Sequence, residues 1–358
     1  MGPQPLPQVA ALPPYVPGKP PTPRPGLTTY KISSNENPYP PLPGVLETAQ
    51  AAAEQMNRYP DMGCTELYGE LAVRLGVAED ELAAGAGSVA LIFHLLAAFS
   101  GPGDEVVHAW RSFEAYPIAV AAAGATGVEV PLAPGARHDL DAMAAAITDR
   151  TRVVLLCTPN NPTGAALTHA EVAAFVERVP SDVLVVVDEA YREFVRMDDP
   201  VDGLALRRAH DNVVLLRTFS KAYGLAGLRV GYAVAHPVVA AAVRAIAIPF
   251  GVSSIAQAAA IASLQAEDML LERVEGLVAE RERLVQGATE AGWTLPDPQG
   301  NFVWLEPADL TGFLAAAEEE GLALRPFADE GVRVTIAESE ATNRLLALLA
   351  RTAPRRPA

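Results

Sequence analysis

Six short, largely apolar runs, at residues 105–108, 128–132, 153–157, 183–187, 213–216 and 230–234, constrain this chain more than any other feature. A strand with one wet face alternates apolar and polar residues. These runs do not alternate, so strands built from them need cover on both faces. Between them lie segments with helical spacing, such as 140–147 and 169–179. Unbroken strands alternating with helices indicate an α/β fold with a mostly parallel sheet between helical layers.

The flanks read differently. Residues 1–30 are proline-rich and lack periodicity, which predicts an extended arm lying on another surface. Helical candidates follow at 46–56, 65–75 and 89–99, while 81–84 makes a poor strand. Beyond residue 250 a long helix, 255–291, leads to smaller strand–helix units around 302–305, 310–320 and 332–336. The expected organisation is an arm (1–41) partly joining the smaller unit, a large α/β domain (42–250) and a smaller α+β domain (251–358). A chain of 358 residues has the length for two domains. The tail, 351–358, is expected to fray.

Composition removes several functions. The net charge is −16, from 27 basic and 43 acidic residues, which disfavours nucleic acid and anionic membranes as partners. Local basic pockets for small anions stay open. Two cysteines, Cys64 and Cys157, with no CxxC pair and no histidine cluster, argue against a disulfide scaffold and a bound metal. Cys157 ends an apolar run and reads as a core residue. No long apolar segment suggests a membrane span, and the proline-punctuated start does not read as a secretory signal. The expectation is a cytoplasmic enzyme.

Five motifs carry chemistry. The run VLVVVDEAY (183–191) places Asp188 at the C-terminal edge of a buried strand, where α/β folds bind ligands. A buried carboxylate there needs a cation or several donors. A magnesium-positioning role would require a GxxxxGK[ST] loop, and the chain has none. In RTFSKAYGLAGLR (217–229), Lys221 sits between hydroxyl residues beyond another strand, with Arg229 eight positions later. A desolvated lysine loses its proton readily, as imine chemistry requires. Hydroxyls with a guanidinium suit a phosphate monoester.

The third motif, TPNNPTG (158–164), follows the 153–157 strand; an ordinary turn explains it, yet an Asn amide there could also reach a ligand oxygen. The fourth, GAGSVA (85–90), opens an apolar helix and fits the dinucleotide fingerprint, although the weak strand before it counts against that reading. A helix N-terminus binds any phosphate. The fifth, GVRVTI (331–336), carries Arg333 among apolar neighbours, with Arg325 shortly before it. A structural ion pair and a carboxylate-binding fork remain equally open for Arg333.

Taken together, TPNNPTG, VVDEAY and SKAYGLAGLRVGY resemble the class I/II aminotransferases of pyridoxal-phosphate (PLP) fold type I, over nearly the whole chain. SSNENP (33–38) and RYPD (58–61) resemble the branch of histidinol-phosphate aminotransferases and their aromatic relatives. NRYPDMGC (57–64), WRSFEAYP (110–117) and 248–264 resemble the actinobacterial aromatic (phenylalanine) aminotransferases. Ala337 departs from the family, where Gly is frequent after the arginine strand.

The resemblance implies a set of roles. Lys221 would hold PLP as a Schiff base and then shuttle the proton at the substrate Cα. Asp188 would pair with the pyridinium nitrogen, while Asn161 and Tyr191 would bond the ring oxygen. Phe113 would stack on the ring. Ser88, the Val89 amide, Thr218, Ser220 and Arg229 would hold the phosphate, joined by Tyr59 from the other subunit of a homodimer with shared active sites. Arg333 would grip the substrate α-carboxylate, and Tyr15 and Asn35 would line or cover the substrate pocket. The implied activity is ping-pong amino transfer between an aromatic L-amino acid (Phe, Tyr or Trp) and 2-oxoglutarate or another keto acid. Histidinol-phosphate transamination is the runner-up. A decarboxylase on the same scaffold, a PLP-fold transcription regulator and an NAD-dependent dehydrogenase are further readings; the acidic chain and absent helix-turn-helix oppose the regulator.

Overall fold

The computed structural model describes residues 2–12 and 15–353. The arm runs into β1 (Tyr30–Lys31). A seven-stranded sheet follows, built from β2 (Leu82–Gly85), β3 (Glu105–Trp110), β4 (Thr126–Pro131), β5 (Thr151–Cys157), β6 (Leu184–Asp188), β7 (Val213–Thr218) and β8 (Gly231–Val234). Their order is β2-β8-β7-β6-β5-β3-β4. The pairs from β4 through β7 are parallel; β8 is antiparallel to both β7 and β2.

The lack of alternation in the central runs has the expected consequence. Val154, Leu156, Val185, Val187, Val213 and Leu215 pack into one core, while Val153, Leu155, Leu184, Val186, Val214 and Leu216 pack into another. Successive residues point to opposite faces, and both faces are dry. Each such side chain contributes roughly 1.5–3 kcal/mol of burial. Helices Thr65–Leu75 and Ser254–Gln265 contact each other on one side of the chain's core, and helices Gly87–Phe99, Ala115–Ala123 and Pro237–Ile246 associate on the other.

Two expectations are corrected here. The segment around 81–84 forms strand β2 despite its poor local propensity. Its residues are fully paired along β8, and Leu82 and Ala83 have no exposed surface, so tertiary pairing overrides alanine's weak strand preference. The single helix expected over 255–291 is two helices, Ser254–Gln265 and Glu267–Glu290, broken at Ala266. No Gly or Pro marks that break. Glu267 and Asp268 do, because acidic side chains suit the positive end of a new helix.

Beyond these helices, β9 (Phe302–Leu305), β11 (Arg325–Phe327) and β12 (Gly331–Thr335) make a three-stranded antiparallel sheet in the order β11-β12-β9. β10 (Leu322–Ala323) pairs in parallel with β1, which ties the arm to this part of the chain. Among the described residues no helix is long and apolar enough to cross a membrane.

Candidate active site

Parallel strands deliver their C-terminal ends to one edge of the sheet. Asp188 ends β6 and stands opposite Cys157, the last residue of β5. Thr218 ends β7, and Lys221 follows three residues later. The helix Gly87–Phe99 points its N-terminus at the same edge, presenting Ser88 and Val89. These groups line one cavity of about 270 Å³, together with Tyr15, Phe113, Asn161, Tyr191, Ser220, Arg229 and Arg333.

Burial sets the electrostatics. Lys221 donates from Nζ to the Ser34 carbonyl at 3.2 Å. Burial lowers its pKa to about 7, helped by the positive charges of Arg333 and Arg229 and opposed by Glu36 and Asp188. Asp188 moves the other way, up to about 6, because burial outweighs the hydrogen bonds that favour its charge. Those bonds come from Tyr116 Oη to Oδ2 at 3.0 Å and from the Ala190 amide to Oδ1 at 3.2 Å. An amine whose hold on its proton is weakened and a buried carboxylate thus share one cavity. Burial also raises the Tyr191 phenol and the Cys157 thiol, the latter to about 12. Cys157 is therefore an inert wall residue.

At one end of the cavity the backbone forms an anion cradle. Gly87 adopts φ +79°, and a Cβ there would stand 2.7 Å from Arg229 Nη2. A Cβ on Gly231 would meet the Ser88 amide nitrogen at 2.6 Å. Gly87 thus lets a guanidinium, and Gly231 a strand, approach the start of the helix closely. Arg229 Nη1 lies 3.4 Å from Ser220 Oγ, and the Ser220 amide donates to Thr218 Oγ1 at 3.1 Å. The dinucleotide reading finds no support, because β2 is an antiparallel edge strand and Glu105 lies at the start of β3, bonded to Thr148 and Arg150.

Arg333 forms another part of the lining. Its Nη1 donates to Asn161 Oδ1 at 2.5 Å and its Nη2 to the Ser33 carbonyl at 2.7 Å. Buried Nε has no partner among the described residues. Phe302 and Phe327 flank the guanidinium, 5.7 and 5.6 Å from their ring centroids. Asn161 is fixed by its place in the TPNNPTG turn, whose two X–Pro bonds are both cis.

One residue expected at this chain's own site stands off its wall. Asn35 is buried behind it and reaches the cavity through Tyr191, donating from Nδ2 to the phenol oxygen at 3.0 Å. Tyr59, expected to serve the other subunit's site, is 82% exposed and stacks on Phe250 at 4.6 Å, away from this cavity. The sequence reading missed Tyr116, Glu114 and the Ser33–Ser34 carbonyls. For Tyr116 a signal existed: it follows Phe113 by three residues into a helix, one turn on, so both can face the same strand ends.

Residues 29–348 match the family model for class I and II aminotransferases. Curated relatives include aromatic amino acid aminotransferases of Streptomyces avermitilis and Streptomyces coelicolor, each 59% identical over 94% of this chain and 94% of its own length. Among solved structures, a histidinol-phosphate aminotransferase of Sinorhizobium meliloti in complex with pyridoxal 5'-phosphate superposes with a TM-score of 0.83. It is 30% identical, and the match covers 90% of each chain. An aspartate aminotransferase of Thermus thermophilus with maleate gives 0.80 at 25% identity, covering 90% of this chain and 91% of its own. With its motifs gathered at one strand edge and a family match spanning most of its length, the chain belongs to the class I and II aminotransferase family.

Proposed function

We propose that the chain is a cytoplasmic, homodimeric, PLP-dependent aromatic amino acid aminotransferase that exchanges the amino group between Phe, Tyr or Trp and 2-oxoglutarate. One observation carries the cofactor assignment: a half-buried amine with its pKa lowered to about 7 and a buried carboxylate face one cavity that also carries an anion cradle. The donor set fits PLP. Ser88, the Val89 amide, Thr218, Ser220 and Arg229 would hold its phosphate, and Asp188 its ring nitrogen. The ring oxygen would meet Asn161 and Tyr191, and Phe113 would cover a ring face. When bound, the group supplies an electron sink for the pair released as the substrate Cα–H bond breaks.

The chain's own residues do the rest. Lys221 Nζ, unprotonated in a large fraction of molecules at neutral pH, would hold the aldehyde and later carry the proton at the substrate Cα. Asp188, paired with a cation, would regain the charge that burial opposes and keep the ring nitrogen protonated. Arg333 would exchange its bond to the Ser33 carbonyl for the α-carboxylate and use its unpartnered Nε as a second donor. Tyr15, 52% exposed on the arm, would shield the substrate from water.

The same reading divides the chain into an arm (1–41), a large domain (42–250) and a small domain (251–358). The separation of the seven-stranded and three-stranded sheets supports it. Exposed Tyr59, Met62, Ile248 and Phe250 support a second copy covering that face, with Tyr59 reaching the partner's phosphate site. The aromatic assignment is supported by the names of the Streptomyces relatives. The second reading, histidinol-phosphate transamination, draws on Arg325, which lies beside Arg333 and could serve a phosphate.

The test is one half-reaction. Purified protein loaded with PLP is mixed with L-phenylalanine or with L-histidinol phosphate, and the visible cofactor absorbance is followed. Faster conversion with phenylalanine supports the aromatic assignment. A strong preference for L-histidinol phosphate replaces it with the second reading.

A further inference from the structure

Glu114 immediately follows Phe113 at the start of helix Ala115–Ala123, and its Oε2 accepts from Arg325 Nη2 at 2.7 Å. The Arg325 side chain is 7% exposed, that of Glu114 27%. Both residues line the 270 Å³ cavity and also a neighbouring one of about 530 Å³, bounded by Val16 and Pro17 of the arm and by Leu324 and Phe327. The ion pair is the wall the two spaces share. Arg325 and Arg333 are Cα partners across β11 and β12. Two guanidinium groups on adjacent strands would by themselves make a strong site for a tetrahedral dianion.

We propose that Glu114 is a specificity-determining residue, which holds Arg325 and thereby tunes this end of the cavity to the single charge of an α-carboxylate rather than the dianion of a phosphate monoester. This rests on the aminotransferase reading above. The pair acts in both directions. An aromatic amino acid brings one carboxylate to this end, for Arg333, and a buried Arg325 guanidinium left unpaired beside it would be costly; Glu114 removes that cost. A phosphate monoester, carrying close to two negative charges, meets the carboxylate of Glu114 as a like charge.

The test compares wild-type, Glu114→Gln and Glu114→Asp holoenzymes in half-reactions with L-phenylalanine and L-histidinol phosphate, with inorganic phosphate as competitor. In Glu114→Gln the preference for phenylalanine should fall about tenfold or more, as a like charge beside the phosphate is removed. Inorganic phosphate should then compete at about tenfold lower concentration, by the same argument. Glu114→Asp, which keeps the charge, should retain a preference nearer wild type. An unchanged preference and unchanged phosphate inhibition in Glu114→Gln would overturn the inference while leaving the aminotransferase reading intact. Equal loss of both substrate rates would also overturn it. A wild-type enzyme that converts neither substrate would sink the functional reading, and this inference with it.

Discussion

Tyr116 donates a 3.0 Å hydrogen bond to Oδ2 of Asp188, and neither side chain reaches bulk solvent. Burial keeps the phenol neutral, since its pKa lies well above the ordinary tyrosine value, so Tyr116 remains a donor at every working pH. Its bond favours the charged form of Asp188 against the burial that disfavours it. Tyr116 is thus a positioning residue that acts through Asp188.

Replacing Tyr116 with Phe removes that donor and leaves a buried carboxylate oxygen short of a partner, a loss of about 1–3 kcal/mol. The Asp188 pKa rises further. The acid limb of the kcat/KM profile should therefore move to higher pH, with the rate at neutral pH reduced about tenfold, within that same energy range. A pH–rate profile of the Tyr116→Phe holoenzyme that superimposes on wild type would remove Tyr116 from this role.

Lys221 ties the site to stability. In the cofactor-free protein its pKa is depressed from 10.5 to about 7, so between those values the unfolded chain binds more protons than the folded one. Stability then rises with pH across that window, and the loss on lowering the pH is complete by about 7 and constant below it. Lys221→Met should raise the Tm of cofactor-free protein most at pH 7 and below, and progressively less as pH approaches 10.5. Thermal melts of both proteins across the range check this; a constant difference would contradict the depressed amine.

Gly87 tests the phosphate cradle. Its φ of +79° disfavours any side chain, and a Cβ would press on Arg229 Nη2. Gly87→Ala should keep the fold, because the clashing atom is the end of a flexible side chain. Displacing the guanidinium should weaken PLP retention by about tenfold, the loss of roughly one charge-assisted bond. Cofactor titration by absorbance reads this directly, and unchanged affinity would place the phosphate elsewhere.

The sequence conveyed most of what lies on the central strands. Runs without alternation predicted a doubly covered sheet, and their ends located Asp188 and the Lys221 loop, because parallel strands place equivalent ends at one edge. It failed where long-range pairing decides. β2 has weak local propensity and forms because β8 lies beside it. The break at Ala266 leaves only the acidic pair after it as a trace in the sequence. Asn35 and Arg325 act through partners 156 and 211 residues distant in the chain, Tyr191 and Glu114, and no local pattern could have named those contacts.

The central claim, that Lys221 holds the cofactor, has an unusually clean test because the chain contains three lysines, Lys19, Lys31 and Lys221. The PLP-loaded protein is reduced with borohydride, digested and mapped by mass spectrometry. The account predicts a phosphopyridoxyl adduct on the peptide bearing Lys221 and none of comparable yield on Lys19 or Lys31. An adduct confined to either arm lysine, or no adduct at all, would contradict it.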